Sequence, residues 1–101
     1  MLLDRNMSDD GKVLTIVMAN KFDFEIVQQF REHYAEIDTG VEEVIVDLRL
    51  TQYMDSSALG MLLNMEKSLS GKVARIRLIN CKTAILNIFK ISRFDKKFII
   101  E

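Results

Sequence analysis

The sequence predicts an α/β sandwich, in which a mixed central β-sheet (an N-terminal hairpin plus parallel strands) is covered by about three helices. Three observations support this fold class. Two strand-like segments, of which the second is strongly apolar, flank the turn sequence Asp9-Asp10-Gly11. From Glu25 onward, helical and strand-like patterns alternate to the end of the chain. Residues 44–48 are almost continuously apolar, which is typical of a parallel-sheet strand covered on both faces.

The hairpin and the first helix follow from turn residues and from the period of the apolar positions. Residues 2–8 and 13–19 form the strands of the predicted hairpin, and residues 20–24 connect it to a helix that starts at Glu25. Asp23 is suited to cap this helix, and Gly40 to close the element shortly after its end. The apolar residues that share one helix face are Ile26, Val27, Phe30, Tyr34 and Ile37.

The second half of the chain predicts two further helices and three strands. Residues 44–48, 73–79 and 98–100 have strand-like patterns, and helices are expected over residues 56–69 and 83–91. Ser70-Gly71 supplies the stop signal of the second helix. The predicted core positions of these helices are Leu59, Leu62, Leu63 and Leu69 in the first and Ile85, Ile88 and Phe89 in the second.

Length, charge and cysteine content narrow the function classes. The chain has 101 residues and a formal net charge of −1. We expect one domain over residues 1–101 and no nucleic-acid partner, because nucleic-acid modules carry a basic excess. A lone Cys81 cannot form an internal disulfide, which fits the reducing cytoplasm. No apolar run is long enough to span a membrane, and Asp4 and Arg5 come too early for a signal peptide, so we expect a soluble cytoplasmic protein.

The most informative segment runs from Asp47 to Leu63 and passes from a strand through a loop to the start of a helix. Open α/β sheets place their binding sites at such positions. Asp55 or Ser56 is suited to cap the helix, because a side-chain oxygen there accepts a hydrogen bond from a backbone N–H that otherwise has no partner. Capping alone would explain these polar residues.

Two further features of this segment point to a contact or phosphate site. Met54, Met61 and Met65 surround the serines, and Asp55 is the only charged residue between Met54 and Met65. A helical turn with so little charge is either buried or part of a contact surface, and methionine suits adaptable contacts. The two adjacent serine hydroxyls also lie where a phosphate would meet backbone donors and the positive end of the helix dipole. The residues alone leave both interpretations open.

The motif around these serines resembles that of a known family. Asp47-Leu48, followed by Met54-Asp55-Ser56-Ser57-Ala58-Leu59-Gly60, is similar to the signature of the STAS family of bacterial anti-sigma factor antagonists. That signature is a strand ending in Asp-Leu, a short loop, and then Asp-Ser-Ser/Thr-Gly-Leu-Gly. The resemblance covers nearly the whole chain, including the hairpin and the Phe22-Asp23 loop, and it implies a STAS-type sandwich fold.

The resemblance also implies a phosphorylation site. In the family, a partner kinase that doubles as an anti-sigma factor phosphorylates the first serine after the aspartate, which is Ser56 here. Ser57, the second choice, matches the neighbouring Ser/Thr position, and Asp23 matches an acidic residue near the site. Ala58 departs from the usual glycine but should leave the helix intact, because alanine favours helices. We expect the family's final helix to be missing or reduced, since the chain stops at Glu101.

A phosphate on Ser56 would change the surface that a partner meets. It adds about −1.5 to −2 charge and moves the formal net charge from −1 to about −3. We expect the unmodified protein to bind its partner and the phosphorylated protein to release it. The implied partners are an anti-sigma factor that is also a serine kinase, and a serine phosphatase or response regulator. The residues expected to form or support the contact surface are Asp23, Met54, Asp55, Ser56, Ser57, Ala58 and Met61.

An enzyme and a STAS domain with another task are the alternatives. Residues 53–59 lack the first glycine of a Gly-x-Ser-x-Gly nucleophile elbow, and the only histidine, His33, is expected to be exposed on a helix flank. The sequence has no glycine-rich phosphate loop and no paired metal ligands, so we expect no catalysis, cofactor or metal. The second alternative is an accessory subunit of a lipid transporter, or a scaffold in a sensory complex, without phosphoswitching. The Asp-Ser-Ser motif favours the phosphoswitch.

Overall fold

A computed structural model describes residues 3–101 of the chain. Its strands are β1 (Asp4–Met7), β2 (Val13–Val17), β3 (Lys21–Phe22), β4 (Glu43–Asp47), β5 (Tyr53–Met54), β6 (Arg75–Ile79) and β7 (Ile99–Ile100). Its helices are α1 (Val27–Tyr34), α2 (Ser56–Leu69) and α3 (Thr83–Ile91), with 3-10 turns at Phe24–Ile26 and Phe94–Lys96. Of the predicted first strand, Leu2 lies outside the described residues.

Five strands form one mixed sheet in the order β1-β2-β4-β6-β7. β1 and β2 pair antiparallel as a hairpin, while β2, β4, β6 and β7 run parallel. The turn between the hairpin strands contains Gly11 with a φ of +73°, a backbone conformation that glycine adopts without steric cost. The predicted mixed α/β sandwich is therefore confirmed.

The three helices cover one face of this sheet. Parallel strands follow one another across the sheet in chain order, and right-handed crossovers between them place every connecting helix on the same side. The core contains alternate strand residues (Leu14, Ile16, Val44, Val46, Ile76 and Leu78) together with helix residues such as Phe30, Leu62 and Phe89. No described helix packs on the other face, so β4 is not covered on both faces as its apolar run predicted. On that face Arg77 forms ion pairs with Glu43 and Glu101.

Several predicted boundaries and one predicted helix face differ from the structure. The predicted loop over residues 20–24 contains β3, which pairs in parallel with β5 to form a second, two-stranded sheet. The first helix begins as a 3-10 turn and becomes α-helical only at Val27. Leu63 was predicted in the core but is exposed, because the adjacent Leu62 already faces the sheet. The residues of α2 that are buried are Ala58, Met61, Leu62, Met65 and Leu69.

Candidate functional site

The short β3–β5 ladder brings the starts of two helices together. Its register pairs Lys21 with Tyr53 and Phe22 with Met54. In each strand the next residue is an aspartate that caps the following helical turn. Asp23 accepts a hydrogen bond from the backbone N–H of Glu25 at 3.1 Å, and Asp55 caps α2 in the same way. The predicted capping role of Asp23 is confirmed, and helices α1 and α2 contact each other.

Asp55 is the residue that caps α2. Its Oδ1 atom accepts hydrogen bonds from the backbone N–H groups of Ser57 at 3.0 Å and Ala58 at 3.3 Å, and from the Ser57 hydroxyl. The hydroxyl bond from Ser57 is the main reason that the pKa of Asp55 lies below its ordinary value. Partial burial opposes this shift, and the backbone N–H groups reinforce it. The carboxylate is therefore charged at neutral pH and holds the cap through its Oδ1 atom.

Ser56 and Ser57 have different environments although they are neighbours. Ser57 is half-buried and its hydroxyl donates to Asp55. Ser56 is exposed as the first residue of α2, and within residues 3–101 its hydroxyl has no hydrogen-bond partner. A phosphate attached to Ser56 Oγ would sit at the positive end of the α2 dipole without breaking a hydrogen bond of the cap.

The predicted methionine contact surface is wrong. Met54 is 7% exposed, Met61 6% and Ala58 0%, so these side chains belong to the core beneath the site. Met54 points inward because Tyr53, its neighbour in β5, points outward, as the two-residue period of a strand requires. Met61 points inward because it lies on the α2 face that packs on the sheet. These three residues support Ser56 by packing and present almost no surface to a partner.

The loop that precedes β5 is fixed to the end of β2. Thr51 is fully buried, and its hydroxyl donates to the backbone carbonyl of Ala19 at 2.8 Å. The backbone N–H groups of Gln52 and Tyr53 both donate to the carbonyl of Asn20, at 2.8 Å and 3.2 Å. Sequence analysis did not single out Thr51, and a buried threonine in a polar loop has no distinctive sequence signal. These three hydrogen bonds position β5 and, through it, Ser56.

Asp47, the motif aspartate at the end of β4, is buried and organises the same edge of the sheet. One of its oxygens accepts hydrogen bonds from the Arg49 backbone N–H at 3.0 Å and the Asn80 side-chain amide at 2.9 Å. Asn80 has a φ of +58°, in the left-handed region that asparagine tolerates better than most residues. Asp47 therefore shapes the turns after β4 and β6 and does not belong to the cap of α2.

The described residues hold no arrangement that indicates hydrolytic or metal chemistry. His33 is half-buried, contrary to the predicted exposure, and its Nε2 lies 3.5 Å from the Leu3 carbonyl oxygen. Burial raises the pKa of the Cys81 thiol to about 11, so it stays protonated at neutral pH. Nowhere between residues 3 and 101 do three His, Cys, Asp or Glu side chains converge as a metal site would require. The helices in this range are too short or too polar to cross a bilayer.

Nearly the whole chain matches a known protein family. A family model described as "Mlab, STAS domain" matches residues 6–101. The chain belongs to the STAS domain family. A STAS-domain containing protein of Pseudomonas aeruginosa (strain UCBPP-PA14) is 42% identical over 94 residues, which is 93% of this STAS domain and 93% of that protein.

Solved structures show the same STAS fold. The unphosphorylated anti-sigma factor antagonist SpoIIAA superposes with a TM-score of 0.75 at 20% identity, covering 98% of this chain and 86% of that one. The phosphorylated form of the Bacillus cell fate determinant SpoIIAA gives 0.72 at 18% identity, covering 98% and 90%. A putative anti-sigma factor antagonist from Thermotoga maritima gives 0.79 at 20% identity, covering 97% and 84%. The predicted family and fold are thus confirmed.

Proposed function

We propose that this STAS domain is a non-enzymatic, phosphorylation-controlled protein-binding switch of the cytoplasm, of the anti-sigma factor antagonist type, with Ser56 as phosphoacceptor. The observation that carries the proposal is that the two serines at the start of α2 have different roles. Asp55 and Ser57 form the cap, while the Ser56 hydroxyl is exposed and makes no hydrogen bond in the described chain. SpoIIAA, which has the same fold, is known in phosphorylated and unphosphorylated forms, and this supports a phosphorylation-controlled role for the domain.

The modification is a phosphoryl transfer from a nucleoside triphosphate bound by a partner serine kinase. A bond forms between Ser56 Oγ and the γ-phosphorus, and the bond from that phosphorus to the nucleoside diphosphate breaks. The hydroxyl proton passes to a base of the kinase. The domain's own contribution is to present Oγ on a rigid helix start, since Asp55 is engaged in the cap and its lowered pKa makes it a weak base.

The phosphate would act on partner binding through charge. It adds about −1.5 to −2 charge next to Asp55, on the same side of the domain as Asp23 and Glu25. A partner surface that fits the neutral serine would then face like charges or a buried anion without a counter-charge, which costs several kcal/mol of binding free energy. We therefore expect the unphosphorylated domain to bind its partner kinase or anti-sigma factor, and a serine phosphatase to restore binding.

The test compares partner capture by Ser56→Ala and Ser56→Asp in the native host. Proteins retained by Ser56→Ala and lost with Ser56→Asp are the switched partners, and intact-protein mass spectrometry measures phosphate on the wild type. The control is Ser68→Asp, which places the same charge on the exposed surface of α2 about 18 Å from Ser56. The control should retain the partners. Wild-type protein that never carries phosphate on Ser56, with equal capture by both Ser56 variants, would instead indicate an accessory or scaffold subunit.

A further inference from the structure

Two exposed aromatic side chains lie near the start of α2 and outside the hydrophobic core of the described fold. Tyr53 is 51% exposed and Phe24 is 67% exposed. In residues 3–101 neither belongs to the hydrophobic core or to a pair of packed aromatic rings. Single exposed apolar residues are common on proteins, so the position of such residues decides whether they matter.

The register of the β3–β5 ladder places Tyr53 and Phe24 within a few residues of Ser56, along the chain or across the ladder. Tyr53 lies three residues before Ser56, on the outward face of the ladder opposite Lys21. Phe24 follows Asp23 as Ser56 follows Asp55, so both residues lie two positions beyond the Phe22–Met54 pair. The surface between the ends of β2 and β3 also has a shallow cleft of about 240 Å³, lined by Ala19, Asn20, Lys21, Asp23, Glu25 and Ile26.

We infer that Phe24 and Tyr53 are the anchor residues through which the partner kinase holds this domain while it phosphorylates Ser56. The inference rests on the proposed function. Phosphoryl transfer requires the γ-phosphorus to approach Oγ to about 3–3.5 Å, so the kinase must cover the surface around Ser56. A specific interface occupies about 800 Å² on each partner, a patch about 16 Å in radius. The Cα atom of Tyr53 lies within about 11 Å of that of Ser56 along the chain alone, so such a patch includes it.

The aromatic character of Phe24 and Tyr53 predicts the kind of kinase surface that binds them. Aromatic side chains bury about 150–250 Å² each and are enriched among the few residues that dominate interface energy. The kinase should therefore present apolar pockets beside the mouth of its active site, with polar groups facing Lys21 and Glu25 at the rim. The kinase then recognises the domain through the rings of Phe24 and Tyr53, whereas the effect of phosphorylation on binding comes from the charge at Ser56.

The test measures the initial rate at which Ser56 takes up phosphate. Purified unphosphorylated variants are incubated with an extract of the native host and radiolabelled ATP, and Ser56→Ala supplies the blank. Phe24→Ala and Tyr53→Ala should each be phosphorylated about tenfold more slowly than wild type. Phe24→Leu and Tyr53→Phe, which retain apolar bulk, should recover most of the rate.

Ile91→Ala is the matched control. Ile91 is 83% exposed at the last residue of α3, which starts at the same edge of the sheet as α2 and therefore ends at the opposite one. This variant should react at the wild-type rate. Equal rates for wild type, Phe24→Ala and Tyr53→Ala would overturn the inference and leave the proposed function intact. Absence of Ser56 phosphorylation in the wild type would overturn both. Thermal melts should show all variants folded, since the replaced side chains are outside the core.

Discussion

The Oδ1 atom of Asp55 accepts hydrogen bonds from both the backbone N–H and the hydroxyl group of Ser57. Ser57 therefore contributes both its backbone N–H and its hydroxyl to the cap, whereas the hydroxyl of the neighbouring Ser56 takes no part in it. Two serines that look equivalent in sequence therefore differ in chemistry. The Ser57 hydroxyl stabilises a helix start, and the Ser56 hydroxyl is exposed to solvent without a hydrogen-bond partner in residues 3–101.

The first prediction concerns the pKa of Asp55. Ser57→Ala removes the hydroxyl bond that does most to lower it, so the pKa should rise toward the ordinary aspartate value. Ser56→Ala should leave it unchanged, because the Ser56 hydroxyl does not contact the carboxylate. Side-chain carboxyl chemical shifts followed by NMR during a pH titration measure both values. Equal titration curves for the two variants would contradict the assigned hydrogen bond.

The second prediction is a pH dependence of stability. The pKa of Asp55 is lower in the folded than in the unfolded chain, so the charged carboxylate stabilises the fold above the unfolded value of about 3.9. This contribution disappears as the pH falls through the folded-state pKa. Asp55→Asn keeps a capping oxygen but no charge, so it should be less stable than wild type at neutral pH. Urea unfolding at neutral and acidic pH should show the difference vanish in acid.

The third prediction concerns Thr51. Thr51→Val preserves the shape of the buried side chain but leaves the Ala19 carbonyl without the hydroxyl that donates to it. We expect a loss of about 1–3 kcal/mol in the free energy of unfolding. Thr51→Ser keeps the hydroxyl and should lose less. Denaturant unfolding of the three proteins tests this, and a neutral Thr51→Val would show that the loop does not depend on this bond.

The fourth prediction separates core from surface in α2. Met61→Ala should lower the free energy of unfolding by about 2–5 kcal/mol, because it opens a cavity beneath the site. Leu63→Ala, on the exposed side of the same helix, should change it by no more than about 0.5 kcal/mol. Chemical unfolding of both variants measures this difference. Equally small losses of stability in both variants would contradict the burial of Met61 and favour the surface role that the sequence predicted.

The fifth prediction is a stabilising substitution. Gly60 lies inside α2, and apart from its chain neighbours and the surrounding backbone of the helix, no described atom lies within 4 Å of the position that a Cβ would occupy. Gly60→Ala should therefore raise the free energy of unfolding by about 0.5–1 kcal/mol, the usual helix-propensity difference. A destabilised variant in urea unfolding would mean that the helix interior requires glycine at this position.

The longer elements could be predicted from sequence because their periodicity is strong. α2 and α3 have the predicted bounds, and the parallel strands match within one or two residues. β3 and β5 could not be predicted, because a ladder of two residues is specified by long-range pairing and leaves no periodic signal. Leu63 was misplaced because leucine-rich stretches fit more than one helix face, and packing of Met61 and Met65 on the sheet selects between them.

The candidate site was predicted in position but not in composition. The motif located Asp55 and Ser56 correctly at the start of a helix. Hydropathy could not tell that Met54 is buried while Tyr53 is exposed, because that difference depends on which way a two-residue strand faces. The separate environments of Ser56 and Ser57 depend on side-chain geometry at the cap, which sequence spacing does not contain.

The pairing of Phe22 with Met54 has a consequence for how such a domain tolerates sequence change. Both side chains are buried, so a slip of one residue in either strand would turn Lys21 or Tyr53 into the core. Insertions or deletions at the exposed residues 49–50 would change the turn between Leu48 and Thr51 but would not shift the pairing of β3 with β5. The two helix starts can thus keep their relative positions while the connecting loop changes in length. Ser56 then stays close to Asp23 even in relatives whose loop length makes the motif hard to align by sequence.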